Sequence, residues 1–476
     1  MLFSSISFLY YFLPLTVGLY FAAPGRFKNT VLLLASLVFY GWGEPKYVLL
    51  MSLSVLLGYG FGLLVEKYRQ KSAGRILCVA SVGVSISFLL YFKYADFFIE
   101  NFNAVTGMGV LPLRLALPIG ISFYTFQIVS YTVDVYRGEA AQKNPVHLAV
   151  YIAMFPQLIA GPIVRYHDIA GQLEARAHSL SGAASGIRRF VIGLAKKILI
   201  ANQLGELCGV FRTSGEKSVL FYWMYAVSFA LHIYFDFSGY SDMAIGLGGM
   251  FGFSFPENFN YPYISASITE FWRRWHISLG SWFRDYVYIP MGGNRKGVGR
   301  QLINILVVWM LTGFWHGAAW NFLLWGLLFA ALLTLEKLWL LKKLEKSRFF
   351  SHIYTLFFVV ISFVIFNAEN PEQAFSDIAG LFGAGGIPLA CAEAVYYLKS
   401  FGLIILAGGI GATPALRGLI SKISGNTAGS RVLNLIEPAV LALLFVVMTA
   451  YLADGSFNPF LYFRFWTCLK LLLPDG

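Results

Sequence analysis

Seven histidines punctuate the chain, and two of them sit among residues able to do acid–base chemistry. His316 lies in Leu311-Thr-Gly-Phe-Trp-His-Gly-Ala-Ala-Trp320 and is the only titratable side chain from Gln301 to Leu335. An ionisable group isolated in an apolar run is costly at membrane depth and is a functional candidate for that reason. A neutral imidazole there can take the proton of an attacking hydroxyl, the work of a general base. On the residues alone, a structural histidine bonding to a helix carbonyl is equally open. Gly313 and Gly317 flank His316 at helical spacing and are expected to leave room for a ligand.

His276 lies in Thr269-Glu-Phe-Trp-Arg-Arg-Trp-His-Ile-Ser-Leu-Gly-Ser-Trp-Phe-Arg-Asp-Tyr286. Ser267 with Glu270 fits a capping box, so a helix is expected to begin there. The mixture of Arg with Trp and Phe suits an interfacial or re-entrant helix. Such an anchor explains the Trp and Arg residues better than it explains His276. The candidate substrate-binding groups are Arg274, in this stretch, and Asp236, in Tyr234-Phe-Asp-Phe-Ser-Gly-Tyr-Ser-Asp-Met243. Asp236 and Asp242 also fit a hydrogen-bond network that closes a helix turn, with Arg165 as an ion-pair partner. Gly292-Gly-Asn-Arg-Lys-Gly-Val-Gly-Arg300 is glycine-rich and basic, but it lacks the strand–loop–helix setting of a phosphate loop and reads as a cytoplasmic connection. No Gly-x-Ser-x-Gly elbow, no His-Glu-x-x-His and no metal-ligand spacing occurs, and Cys78, Cys208, Cys391 and Cys468 are far apart, so no metal site is expected.

The elements that must hold these residues are dictated by composition. Hydrophobic residues make up 58% of the 476 positions and charged residues only 13%, about half the ~25% of a soluble domain. So few charges cannot cover a globule of this size, and most of the surface must face lipid. The net charge of +12 sits in short clusters between apolar runs, as in the cytoplasmic loops of polytopic membrane proteins, and does not point to nucleic acid. A span needs about 20 apolar residues. Runs of that kind are Met1–Pro24, Tyr47–Val65, Ile76–Phe92, Leu115–Val133, His147–Val164, Val219–Phe235, Phe349–Ala368, Ser400–Leu416 and Pro438–Ala453, and Asn29–Gly43 is a shorter candidate. Gln301–Leu335 is too long for one crossing and is expected to break near His316–Asn321. The fold expected is an all-α polytopic membrane protein, one domain over residues 1–476, with about eleven to thirteen transmembrane or re-entrant helices around a central cavity. Pro156, Gly161 and Pro162 disfavour a straight helix in His147–Val164, so a buried or cavity-lining break is expected there.

Taken together, these stretches resemble the membrane-bound O-acyltransferase family, and most closely its alginate O-acetyltransferase branch. The residues that carry the resemblance are Tyr234-Phe-Asp-Phe-Ser-Gly-Tyr-Ser-Asp-Met-Ala-Ile-Gly-Leu-Gly248, Phe255-Pro-Glu-Asn-Phe-Asn-Tyr-Pro-Tyr263, Phe271-Trp-Arg-Arg-Trp-His276, Trp282-Phe-Arg-Asp-Tyr286 and Thr312-Gly-Phe-Trp-His-Gly317, with Phe39-Tyr-Gly-Trp42 and Met154-Phe-Pro-Gln-Leu-Ile-Ala-Gly-Pro-Ile163. The signature region runs roughly over 115–335. The resemblance implies acyl transfer to a hydroxyl, with His316 as the catalytic histidine and His276 as the second. It implies acetyl-coenzyme A as donor substrate, no permanently bound cofactor, and a glycan acceptor in the envelope of a bacterial cell. It also implies an inner-membrane location and an extracytoplasmic, esterase-like acetyltransferase as partner, alongside membrane lipid. Two further readings stay open: D-alanyl transfer to teichoic acid, which a sister group performs, and a transporter or flippase.

Overall fold

The computed structural model describes residues 1–455, and Cys468 lies outside them. Among the described residues every regular element is helical. Eight helices among these residues are long and apolar enough to span a bilayer: Tyr47–Tyr68, Ser72–Thr106, Val219–Met250, Val298–His316, Trp320–Leu344, Arg348–Asn367, Ala392–Gly411 and Thr427–Ala453. The other apolar stretches form shorter helices. Met1–Pro24 gives the short apolar helix Ser7–Ala22, and Asn29–Gly43 gives Lys28–Gly41. Leu115–Val133 gives Ile121–Arg137, whose residues from Ile121 to Thr132 are all buried. Hydropathy reports removal from water, and it reads burial in protein and exposure to lipid alike. That is why fewer helices have spanning length than the apolar runs promised.

The chain forms two compact units. The first comprises Met1–Phe190 with Tyr240–Glu257. Its segment 147–164 is broken as its prolines require: one helix is Pro145–Ala153 and a single turn is Phe155–Leu158. Residues 150–164 are all buried, so the backbone groups freed by the break need partners inside the protein. The Phe155 N–H donates to Ser36 Oγ at 3.0 Å, and the Tyr151 hydroxyl donates to the Val164 carbonyl at 3.1 Å. Phe3, Phe8, Phe12 and Phe39 pack against the Phe155 ring at this break.

The second unit comprises Val191–Gly239 with the described residues from Asn258 on, 258–455. Here Val298–His316 and Trp320–Leu335 form a helical hairpin. The expected break falls where it was read, between His316 and Trp320. The two helices cross at glycines: a Cβ on Gly313 would strike the Phe322 carbonyl, and one on Gly326 would strike the Trp309 carbonyl. A Cβ on Gly317 would strike the Phe322 ring. The space at Gly313 and Gly317 is therefore filled by the partner helix and its Phe322, which corrects the expectation that these glycines make room for a ligand. Close approach through small residues is the usual basis of helix association in lipid. Asn321, where the second helix begins, donates to the Ala368 carbonyl at 2.8 Å and ties the hairpin to the end of Arg348–Asn367. Replacing Gly326 by Leu is expected to wedge the hairpin apart and to cost on the order of 1–3 kcal/mol. Thermal unfolding of the purified protein in detergent should show a lowered midpoint, and an unchanged one would mean that the hairpin can relax.

Candidate active site

The stretch around His276 is not one helix. Ile268–Arg274 starts at the Ser267 cap, whose side chain accepts from the Glu270 N–H at 3.0 Å. The Glu270 carboxylate accepts from the Ala266 N–H at 2.9 Å, so the Ser267 cap expected from the sequence forms, while the reciprocal bond of a capping box falls one residue before the cap. A second carboxylate, that of buried Glu336, accepts from the N–H groups of Ile268 and Thr269 at 2.7 and 2.8 Å and from the Thr269 hydroxyl at 2.6 Å. Negative charge suits the open N–H groups of a helix start. The helix stops at Trp275, and His276 turns left-handed at φ 44°, ψ 52° before Ile277–Phe283 begins. Side chains other than glycine pay for this conformation, and they hold it only where the surroundings require it.

What requires it is Asn258. The chain at 258–260 runs beside 274–277, with the Asn260 N–H bonded to the Arg274 carbonyl at 2.9 Å and the Ile277 N–H to the Asn258 carbonyl at 3.0 Å. This brings the buried Asn258 Oδ1 within 3.0 Å of His276 Nδ1. The same oxygen accepts from the Ser278 N–H at 3.3 Å and the Ser278 hydroxyl at 2.9 Å. A backbone N–H can only donate, so the atom facing it must be the amide oxygen, and Nδ1 must carry its proton to bond to that oxygen. The other nitrogen, Nε2, is then an unprotonated acceptor. It is buried and has no hydrogen-bond partner among the described residues. The ring is 2% exposed, and burial pushes its pKa down to about 3.

His276 lines a cavity of about 210 Å³. Trp272 and Gly280 line it from the same segment, Arg284 and Tyr288 lie further along the chain, and Ile305, Val308, Trp309 and Thr312 contribute one face of Val298–His316. Nothing but the Trp272 carbonyl lies near where a Gly280 Cβ would sit, at 3.9 Å, so that position leaves the cavity wide. His316 is one helical turn beyond Thr312. It is half-buried, and its ring centre lies 4.8 Å from that of Trp315 and 5.1 Å from those of Trp325 and Phe366. Trp315 is common to both histidines, since its ring centre is 6.1 Å from that of His276. The structure therefore gathers His276 and His316 around one tryptophan, although forty residues of sequence separate them.

Asp236 and Arg274 are held by ion pairs within the chain. Asp236 lies 2.5 Å from Lys197, with both side chains 2% exposed. Arg274 bonds to Glu270 at 2.8 Å and to the Asn260 carbonyl at 3.2 Å. Neither lines the cavity at His276. In the first unit, Asp242 pairs with Arg189 at 2.9 Å, and Arg165 pairs with Asp168 at 2.9 Å. Among the described residues no group of three His, Cys, Asp or Glu side chains is placed to hold a metal ion. Sequence reasoning gave Asn258 no chemical role. Its signal was a polar residue between Glu257 and Phe259 in an aromatic stretch, and nothing in linear spacing ties it to a histidine eighteen positions on.

Comparison with known proteins gives this geometry its context. Residues 48–370 match the model of the membrane-bound O-acyltransferase family. The probable alginate O-acetylase of Azotobacter vinelandii is 39% identical, over 98% of this chain and 100% of its own. The peptidoglycan O-acetyltransferase of Helicobacter pylori is 34% identical, over 82% of this chain and 81% of its own. The teichoic acid D-alanyltransferase of Bacillus subtilis is 32% identical over 47% of this chain and 60% of its own.

The His276 environment also makes a stability prediction. Burial lowers its pKa from the ordinary 6.5 to about 3, so below pH 6.5 the unfolded chain binds a proton that the folded chain refuses. The contribution of this residue is complete above about pH 6.5 and is lost as pH falls toward 3. Thermal midpoints measured from pH 7 down to pH 4 should fall less steeply in a His276→Gln variant than in the wild type, and parallel curves would contradict this. Asn258→Ala, which strands the Ser278 N–H and the imidazole N–H, is expected to cost at least about 2 kcal/mol by the same measurement.

Proposed function

The chain belongs to the membrane-bound O-acyltransferase family, and we propose that it transfers acetyl from acetyl-coenzyme A to hydroxyls of an exopolysaccharide or other envelope glycan. It is a multi-pass membrane protein and an O-acyltransferase. The finer reading concerns donor, acceptor and side of the membrane. The observation that carries it is the pair of imidazoles around Trp315, one of them on a cavity with its acceptor nitrogen uncommitted.

Basic residues bound the proposed donor side. Arg284 lies in the cavity lining, and Arg295, Lys296 and Arg300 follow in the loop before Val298–His316 and at its start. By the bias of Lys and Arg toward cytoplasmic loops, this end faces the cytoplasm, where acetyl-coenzyme A is made. His316 lies sixteen residues after Arg300, about 24 Å along the helix at 1.5 Å per residue. That is most of the ~30 Å hydrocarbon thickness. The donor thus enters from the basic end with its thioester toward His276, and the glycan hydroxyl meets it from the side of His316.

The two histidines have different work. A base functions best with a pKa near the working pH, and a ring that stays neutral down to about pH 3 is a weak one. His276 is therefore the orienting group: Nε2 accepts a hydrogen bond from a substrate O–H or N–H. His316 takes the proton of the acceptor hydroxyl as its oxygen attacks the acetyl carbonyl. The C–S bond then breaks, the electron pair leaves on sulfur, and the proton passes from His316 to the thiolate. An extracytoplasmic, esterase-like acetyltransferase receives the group or completes its delivery to the glycan, and the membrane is the inner membrane of a bacterial cell. The similarity to an alginate O-acetylase over 98% of the chain favours acetyl over D-alanyl transfer, since the D-alanyltransferase match covers less than half of it.

With purified protein in lipid nanodiscs, His316→Ala should lower acetyl transfer from acetyl-coenzyme A on the order of 10³-fold, and His276→Ala about 10²-fold. Full transfer by His316→Ala at a normal folded level would end the assignment of the base. The acid limb of the kcat/KM profile between pH 5 and 8 should persist in His276→Gln, because His276 does not titrate in that window. Loss of that limb in the variant would reverse the two roles.

A further inference from the structure

Acyl transfer needs a hydrogen-bond donor at the carbonyl oxygen, where negative charge develops as the acceptor attacks. Resting on the acyltransferase reading above, we propose that the indole N–H of Trp272 is that donor. Two side-chain polar atoms of the cavity-lining residues are buried with no hydrogen-bond partner among the described residues, and they are complementary: His276 Nε2, an acceptor, and Trp272 Nε1–H, a donor. Of the other polar side chains there, the Arg284 guanidinium pairs with Asp285 at 2.7 Å. The Thr312 hydroxyl donates to the Val308 carbonyl at 2.7 Å, and the Tyr288 hydroxyl accepts from Gln301 at 3.2 Å. Buried polar groups in proteins are nearly always satisfied, so an unsatisfied donor and an unsatisfied acceptor among the residues of one cavity mark a place where a substrate supplies both partners.

The Trp272 ring is not free to turn in search of another partner. Trp309 packs against it at 4.4 Å between ring centres, Phe329 at 4.9 Å with the planes at 90°, and Trp325 at 5.6 Å. Its position is also set along the chain. Trp272 and His276 are four residues apart, and the left-handed turn at His276 separates the helix that carries Trp272 from the one that follows. Donor and acceptor are thus held before substrate arrives, as an electrostatic site requires. In the step itself the acceptor oxygen forms a bond to the acetyl carbon, and the C=O π pair moves onto oxygen. Trp272 Nε1–H donates to that oxygen until the pair returns and expels the thiolate.

The test is Trp272→Phe, which keeps an aromatic ring and removes the N–H. Two quantities are read on the full-length protein in nanodiscs: turnover of acetyl-coenzyme A with a soluble hydroxyl acceptor, and binding of its unreactive ketone analogue S-(2-oxopropyl)-coenzyme A. The expected result is a kcat lowered on the order of 10²-fold, with KM and analogue affinity within about twofold of the wild type. Turnover within about twofold of the wild type overturns the proposal. So does a loss of analogue binding that parallels the loss of turnover, because the ring would then be shaping the cavity only. Absence of transfer by the wild-type protein, with analogue bound, instead defeats the acyltransferase reading of the donor, and the two failures are told apart on the same samples.

Discussion

One amide oxygen organises this site. Asn258 Oδ1 accepts from three donors, the His276 ring, the Ser278 N–H and the Ser278 hydroxyl. Each bond contributes roughly 1 kcal/mol. Together with the backbone bonds that pair 258–260 with 274–277, they offset a left-handed histidine that by itself costs on the order of 1–3 kcal/mol. The same oxygen dictates the tautomer of the ring, so which nitrogen of His276 is left as an acceptor is decided by a side chain outside the cavity lining. An imidazole without such a partner would share its proton between two nitrogens and present the wrong one part of the time.

The second organising constraint is how charge is kept inside an apolar protein. Lys197 and Asp236 are both buried and paired, and the pairing follows from a π-helical turn at Lys196–Ala201 that packs closely on Gly239. Glu336 is buried over the N–H groups that open Ile268–Arg274, so the helix carrying Trp272 is anchored from the end of the hairpin that carries His316. Buried charge in low dielectric persists only when each ion has partners, and in this chain those partnerships double as the joints between elements. Asp236, which looked available in the sequence, is held in this way, whereas Arg274 pairs with Glu270 within its own helix.

Burial itself distinguishes the two histidines. His276 is enclosed and its base strength is suppressed, which suits an orienting acceptor. His316 ends a helix at a break, half-buried among aromatic rings. The glycines next to it serve the crossing of two helices, so the base proposed above and the tightest packing of the hairpin are the same place. A substitution that loosens that crossing acts on both at once.

Much of this was legible in the residues. The scarcity of charge determined a lipid-facing, all-helical protein, because so few ionised groups cannot solvate so large a surface. The break after His316, the cap at Ser267 and the broken segment at Pro156 were readable because local rules produce them: a run too long for one span, a side chain that bonds three residues on, a ring that blocks the helix. The motif pattern identified the family. The tertiary structure decided what depends on residues distant in sequence. It decided that Asn258 orients His276, that Trp272 leaves an N–H unspent on the same cavity, that Gly313 faces a helix and not a ligand, and that Asp236 belongs to Lys197. Linear spacing carries no record of these meetings, because hydrogen bonds and close packing are settled by which surfaces the fold brings within about 3–4 Å of each other.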